Sequence, residues 1–347
     1  MEVLEMLLQR AASLLVLVGT LTVGGCSGNG PAVPTSPATA FNATSRAAGA
    51  SGDGHGGWWM LPRAKNEDLV YASDMNRHKV FVLSLHGKLV GTFSFSKEPW
   101  GLCSDRGGDV FMTRSTDDGR YGVVTEFAHG STAPIAELKL SYGASACAID
   151  PITGDVAVSG GHSRGPVVIA VYSPTLAGPP LRRIAADTLE RSIYVTYDDN
   201  GNLYYSTVSY SYGNRIYELK KKSVAPTLIE NLTPREASGS PAGWRSNHLV
   251  FAAGGGDNSI EHIGIAGSDG RVTRLTSLEG TEMDFGGNQF CVDGSVVAAP
   301  FSIVKNGHGR NRVGIWADPI GRRIATFGGF GASFLEGITI SRVPTQR

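Results

Sequence analysis

Residues 68–73 read DLVYAS: one turn residue, then a short run of β-branched, aromatic and aliphatic residues ending in small ones. The pattern returns as DVFMTR (109–114), DVAVSG (155–160), NLYYST (202–207), HLVFAA (248–253) and SVVAAP (295–300). From Leu69 through Val110, Val156, Leu203 and Leu249 to Val296, the intervals are 41, 46, 47, 46 and 47 residues. A period of ~40–50 residues in strand-like sequence marks propeller blades, since one such unit cannot bury its apolar faces alone. Each run is preceded by another short strand: WGLCSD (100–105), ACAID (146–150), IYVTYD (193–198), GWRS (243–246) or QFCVD (289–293). Asp, Gly and Asn punctuate the turn between the two, as tight hairpins require.

Two further strands follow in each unit. Examples are VFVLSL (80–85) with KLVGTFS (88–94) and VVIAVYS (167–173) with LRRIA (181–185). RIYEL (215–219) with TLIENL (227–232), and VGIWA (313–317) with RRIATF (322–327), complete the series. Four strands per unit predict an all-β fold of four-stranded antiparallel blades, and no stretch carries apolar residues at helical spacing. The first unit lacks its leading strand, whereas EGITISR (336–342) is surplus at the other end. A C-terminal strand placed innermost in the first blade reconciles the two and predicts a closed ring of six blades. Closure removes open sheet edges.

Composition narrows the function classes. Lys+Arg 31 balance Asp+Glu 31 in 347 residues, so no general attraction for nucleic acid is expected. Gly is abundant at 46 residues but without a period of three, which excludes collagen, and 41% apolar residues exclude wholesale disorder.

The N-terminus predicts export. Residues 11–23, AASLLVLVGTLTV, form an uncharged core of signal-peptide length, shorter than the ~20 residues that span a bilayer. Starting at Met6 would leave MLLQR as an ordinary positive leader. Val23-Gly24-Gly25-Cys26 resembles a bacterial lipobox, in which the thiol of Cys26 takes the lipid, with palmitate among its acyl chains. Ser27 after the cysteine resembles the outer-membrane sorting pattern. Expected are a signal peptide over 1–25, a Gly/Pro/Ser/Ala tether over 26–57 and a folded domain over 58–347. About 30 flexible residues reach some ~30 Å from the lipid. The expected location is the cell envelope, with the chain monomeric.

Candidate site residues come from aligning the repeats. Cys103, Cys147 and Cys291 all fall in leading strands. Strands that diverge around an axis predict free, packed thiols rather than a disulfide. The residues that open the leading strands are Trp100, Ser145, Arg191, Pro241, Asn288 and Glu336. Loops between second and third strands add Asp74, Asn76, Arg77, His162, Arg164, Asp257, Asn258 and His308 to the same face, the last within KNGHGRNR (305–312). Trp100, Arg191, Asn288, Glu336, His162, Asp257 and His308 are the candidate ligand-binding set. This face is polar and glycine-rich, which lets backbone amides approach a ligand.

The run YASDMNRHKVFVLSLHGKLVGTF (71–93), the strand order and the Asp-x-x-Gly-Asp/Asn turns resemble NHL-type and SMP-30/gluconolactonase-like six-bladed propellers over about residues 65–343. The SMP-30 resemblance implies a divalent metal on the axis, Ca²⁺ or Zn²⁺, with Glu336-Gly337 supplying one ligand and Asn288 a second, in a lactonase or esterase. Here the sequence departs from that family. No Pro follows Gly337, Ala242 stands where the family has its catalytic Asp, and the opening ring holds no Asp. The expectation is therefore a binding module for a protein, peptide or glycan, without a cofactor and with catalytic residues unassigned. The metal-dependent lactonase is the alternative.

Overall fold

The computed structural model describes residues 58–344 except 117–118, 162–166, 187–190, 210–212, 224, 230–240, 246–247, 253–258, 265–271, 280–282, 285–288, 306–307 and 319. The described strands form six antiparallel sheets. Sheets 2, 3, 4 and 5 have four strands each and follow one another along the chain, spanning 98–140, 143–186, 191–228 and 241–277. Their inner strands are Glu98–Ser104, Gly143–Ile149, Arg191–Tyr197 and Pro241–Arg245. Sheet 1 contains Leu69–Asp74, Lys79–Ser84 and Leu89–Ser94, and takes its inner strand, Leu335–Ser341, from the other end of the chain. The register there pairs Leu69 with Ser341 and Asp74 with Leu335. The surplus C-terminal strand thus fills the vacancy in the first repeat. Each inner strand lies against that of the next sheet, and sheet 6 lies against the C-terminal strand of sheet 1. The fold is an all-β propeller of four-stranded antiparallel blades.

Two sheets carry additions. Trp59–Met60 pairs with Leu89–Ser94 as a fifth strand on the outer edge of sheet 1. The preceding Trp58 packs its ring against Phe93, Phe95 and Phe127, and its indole N–H donates to the Ser94 carbonyl. In sheet 6 the inner position is split. Cys291–Asp293 and Met283–Asp284 both pair with Val296–Lys305, at opposite ends of it. That strand and its partner His308–Ala317 have ten residues each, against six or seven in the second strands of sheets 1 to 4. Lys305 and residues 308–312 are therefore strand, not the loop that the glycines and polar residues of the segment suggest. Lys305 and His308 are strand residues, paired with each other.

The core lies between neighbouring sheets. Val70, Phe81 and Leu83 of sheet 1 share one buried cluster with Phe301, Val313 and Trp316 of sheet 6. Val156, Val158 and Val168 of sheet 3 share another with Phe111 and Val124 of sheet 2. Apolar residues on both faces of each sheet are what the repeats supply, so stacking around the axis buries them continuously.

The cysteine expectation is corrected. Cys103 and Cys147 form a disulfide between the inner strands of sheets 2 and 3, with Cα atoms 5.7 Å apart. Adjacent inner strands approach closely because Gly101 has no side chain. A Cβ there would sit 2.6 Å from both Ala146 Cα and the Ser145 carbonyl oxygen. Cys291 is a free thiol.

Candidate functional site

The inner strands run in the same direction, so their first residues gather at one end of the axis and their last residues at the other. Gly337 abuts Trp100, while further along the same two strands Ser104 Oγ donates to the Ile340 carbonyl at 2.6 Å. The opening end holds the candidates read from the repeats. Trp100, Arg191 and Glu336 do lie in inner strands there. Cys26, His162, Asp257 and Asn288 lie outside the described residues, as do Arg164 and Asn258.

Glu336 is held from across the channel. Tyr194, on the inner strand of sheet 4, donates its hydroxyl to Glu336 Oε1 at 3.2 Å, linking residues 142 positions apart. Burial pushes the Glu336 carboxyl up to about 7, with the Tyr194 hydrogen bond opposing that shift. Tyr194 is pushed well above the ordinary phenol range by burial and then by the Glu336 charge. Trp100 contributes a buried indole N–H without a hydrogen-bond partner among the described residues. Asp74 is not free to bind a ligand. It is buried at the end of Leu69–Asp74, and its carboxylate accepts from the backbone N–H groups of Arg77, Ser333 and Phe334.

Gln289, at the start of the QFCVD run, ties sheet 6 to sheet 2. Its side chain accepts from Leu102 N at 3.2 Å and donates to Leu102 O at 2.9 Å. Its own backbone N–H donates to the Glu336 carbonyl at 3.0 Å. Neither Tyr194 nor Gln289 was legible as a site residue. Both reach partners more than a hundred positions away, and no local pattern announces that.

The opposite end holds a wide opening. A cavity of about 670 Å³ is lined by residues from the inner strands of all six sheets and by the turns that follow them. Its wall includes both disulfide cysteines, Cys291, Gln289 and Thr339, and its rim carries Asp105, Arg106, Asp150, Ile152, Trp244, Asp293 and Arg342. The sequence signal for this rim was the Asp that ends four of the leading strands, and three of those aspartates, Asp105, Asp150 and Asp198, serve the turns. Asp105 accepts from Asp109 N at 2.8 Å, and Asp150 from Ile152 N at 2.8 Å. Asp198 accepts from Asn200 N at 2.9 Å and Asn202 N at 2.7 Å. Burial alone would raise Asp150; its bonds to the Ile152 amide and Thr153, with Lys221 nearby, outweigh that and hold it below the usual range. Arg342 is committed to Asp68 and Asp293.

The Cys291 thiol is pushed up to about 12, chiefly by burial and next by the Asp293 charge, so it stays protonated near neutral pH. Trp244 stacks on Tyr204, ring centroids 5.5 Å apart, and donates its indole N–H to Asp199 at 3.1 Å. The described lining thus offers shape, hydrogen-bonding groups and an aromatic edge rather than a nucleophile beside a base. Among the described residues, no group of three or more His, Cys, Asp or Glu is placed to hold a metal ion.

No family model matches the chain, and no curated protein matches it. Solved structures do. The chain is similar to a propeller in a nidogen/laminin complex, at 16% identity and a TM-score of 0.56 over 80% of this chain and 100% of that one. It is similar to TolB from Acinetobacter baumannii, at 10% identity and a TM-score of 0.55 over 81% of this chain and 68% of that one. A functionally unknown protein from Desulfotomaculum acetoxidans is similar at 11% identity and a TM-score of 0.52, over 79% of this chain and 99% of that one. At these identities the likeness is one of fold.

Proposed function

We propose that this chain is an exported, lipid-anchored propeller whose six sheets are the blades of one closed ring, and that it binds a protein, peptide or glycan at the cell envelope. The observation that carries the reading is the cavity where the inner strands end. Its volume of about 670 Å³ falls within the ~300–1,000 Å³ of ligand pockets. Every sheet contributes to its wall, so a ligand there would touch the whole ring. The nidogen/laminin and TolB likenesses agree with an interaction role through their fold. The Cys103–Cys147 disulfide supports export, because such bonds persist in oxidising compartments. Cys26 and the tether behind it supply the anchor in this reading.

Capture from envelope extracts on the full-length chain, compared with two surface variants, tests the proposal. Ile152→Arg changes an exposed residue of the cavity rim, and Ile135→Arg an equally exposed one on the outer strand of sheet 2. The same captured species should be lost with the first and kept with the second. Cys26→Ala should move the protein from the membrane to the soluble fraction. Equal capture by both variants would move the binding surface away from the cavity, and unchanged membrane retention would remove the lipid anchor.

A further inference from the structure

We propose that the seam between sheets 2 and 3 holds a second binding site, for a small organic carboxylate with a short apolar body. The site shares no lining residue with the cavity at the end of the axis and stands or falls independently of it. A void of about 260 Å³ lies between the last strand of sheet 2, Pro134–Leu140, and the outer strands of sheet 3, Val167–Tyr172 and Arg182–Ala186. That is just under the ~300–1,000 Å³ of pockets that take drug-sized molecules, so it suits a smaller ligand. Leu138, Leu140, Ala170, Pro179 and Pro180 give it apolar walls. Its lining also holds two bases, Lys139 and Arg183, and no acid.

Strand register brings a charge to this void. Arg183 pairs with Ala170, and the next pair along is Ile184 with Ile169. Cross-strand partners share a face of the sheet, and successive residues alternate between faces. Ile169 and Ile184 are buried in the cluster shared with sheet 4, Ala170 in the cluster shared with sheet 2. Arg183 therefore leaves sheet 3 toward sheet 2. There it is exposed and, among the described residues, makes no ion pair. Tyr142 and Tyr172 supply the other half of the site. Both are buried, both line the void, and their hydroxyls meet at 3.4 Å. Two hydroxyls carry two hydrogens, and their mutual bond spends one. Among the described residues nothing else accepts from either. Burial and then the Tyr172 hydroxyl push Tyr142 above the ordinary phenol range, and Arg183 opposes them, so the guanidinium charge is felt at the phenol. An unspent O–H and an unpaired guanidinium beside one void suit a carboxylate, which accepts from both. A cation would meet like charge, and the leucine and proline walls suit the rest of a small acid.

The test uses the full-length chain and phenylacetate, read by isothermal titration calorimetry. Phenylacetate should bind saturably with a Kd of about 1 mM or tighter. Phenylacetamide, of the same shape without the charge, should bind at least tenfold more weakly, and phenethylamine should not bind. Arg183→Gln should weaken phenylacetate at least tenfold at an unchanged thermal midpoint. Tyr142→Phe with Tyr172→Phe removes both hydroxyls and should weaken it similarly. Should that buried double variant unfold, Arg183→Gln, a change at an exposed residue, still decides. Ile152→Arg, at the rim of the cavity, should leave the phenylacetate affinity unchanged. No saturable binding, or equal affinity for phenylacetamide, would overturn the proposal. Binding lost with Ile152→Arg and kept with Arg183→Gln would overturn it too, by moving the acid into the cavity.

Discussion

Glu336 shows how a position can be legible while its chemistry is not. Its place at the start of a leading strand follows from repeat alignment, but its partner, Tyr194, comes from the other side of the axis. Burial of this carboxyl has a measurable consequence. The carboxyl is raised to about 7 from its ordinary 4.5, by burial. Between those values the folded chain keeps a proton that the unfolded chain has released. The associated stability is present below about pH 4.5 and is lost as pH rises through 7. Glu336→Gln removes the titration and leaves an oxygen for Tyr194. The variant should match the parent at pH 4.5 and exceed it at pH 8 by about 3 kcal/mol, in urea unfolding at each pH. Glu126 is raised to about 7 as well, first by burial, but it is present in both proteins and cancels in the difference. A difference independent of pH would show that Glu336 is not held out of water.

At the scale of elements, the small hydroxyl residues near the ends of the first two second strands have a physical role that composition does not reveal. Ser73 of sheet 1 accepts from Gly337 N at 2.7 Å and donates to the Trp100 carbonyl of sheet 2. Thr113 of sheet 2 repeats the arrangement, accepting from Gly101 N at 2.9 Å and donating to the Ser145 carbonyl of sheet 3 at 3.1 Å. These hydroxyls join the inner strands of sheets 1, 2 and 3 in turn, and the disulfide adds a covalent link at the second of these seams. It closes a loop between cysteines 44 residues apart, which constrains the unfolded chain by about 2–4 kcal/mol. Cys103→Ser with Cys147→Ser should lower the unfolding free energy by that amount, and reductant should lower the unaltered protein equally. Cys291, its thiol protonated up to about 12, should not exchange into the bond while the chain is folded. Reductant without effect on the unaltered protein would show that the bond does not form. The hairpin of sheet 6 marks the other limit of reading by element. Gly307, Gly309 and Asn311 are turn-forming types, yet pairing continues to Lys305 and His308 because the partner strand can match it residue for residue.

For the whole molecule, the C-terminal strand decides whether the ring closes. Leu335, Ile338 and Ile340 are buried against sheets 1 and 6. Removing three such side chains costs roughly 2–5 kcal/mol each, comparable with the ~5–15 kcal/mol that holds a domain together. Deleting 335–347 should abolish cooperative thermal unfolding rather than shift its midpoint by a few degrees, as read by circular dichroism and calorimetry. A truncated protein that still melts cooperatively near the parent midpoint would place ring closure elsewhere. The repeat period, the strand identities and the surplus last strand were readable in the sequence, because strand patterning and turn chemistry are local and recur every 46 or 47 residues after the first interval. Only the tertiary structure decided the Cys103–Cys147 bond, the Tyr194–Glu336 contact and the end of the axis at which the cavity opens. Each depends on how closely the inner strands approach around the axis. That spacing arises from all the sheets packing together, with Gly101 and Gly337 leaving room for a neighbouring backbone, and no single repeat encodes it.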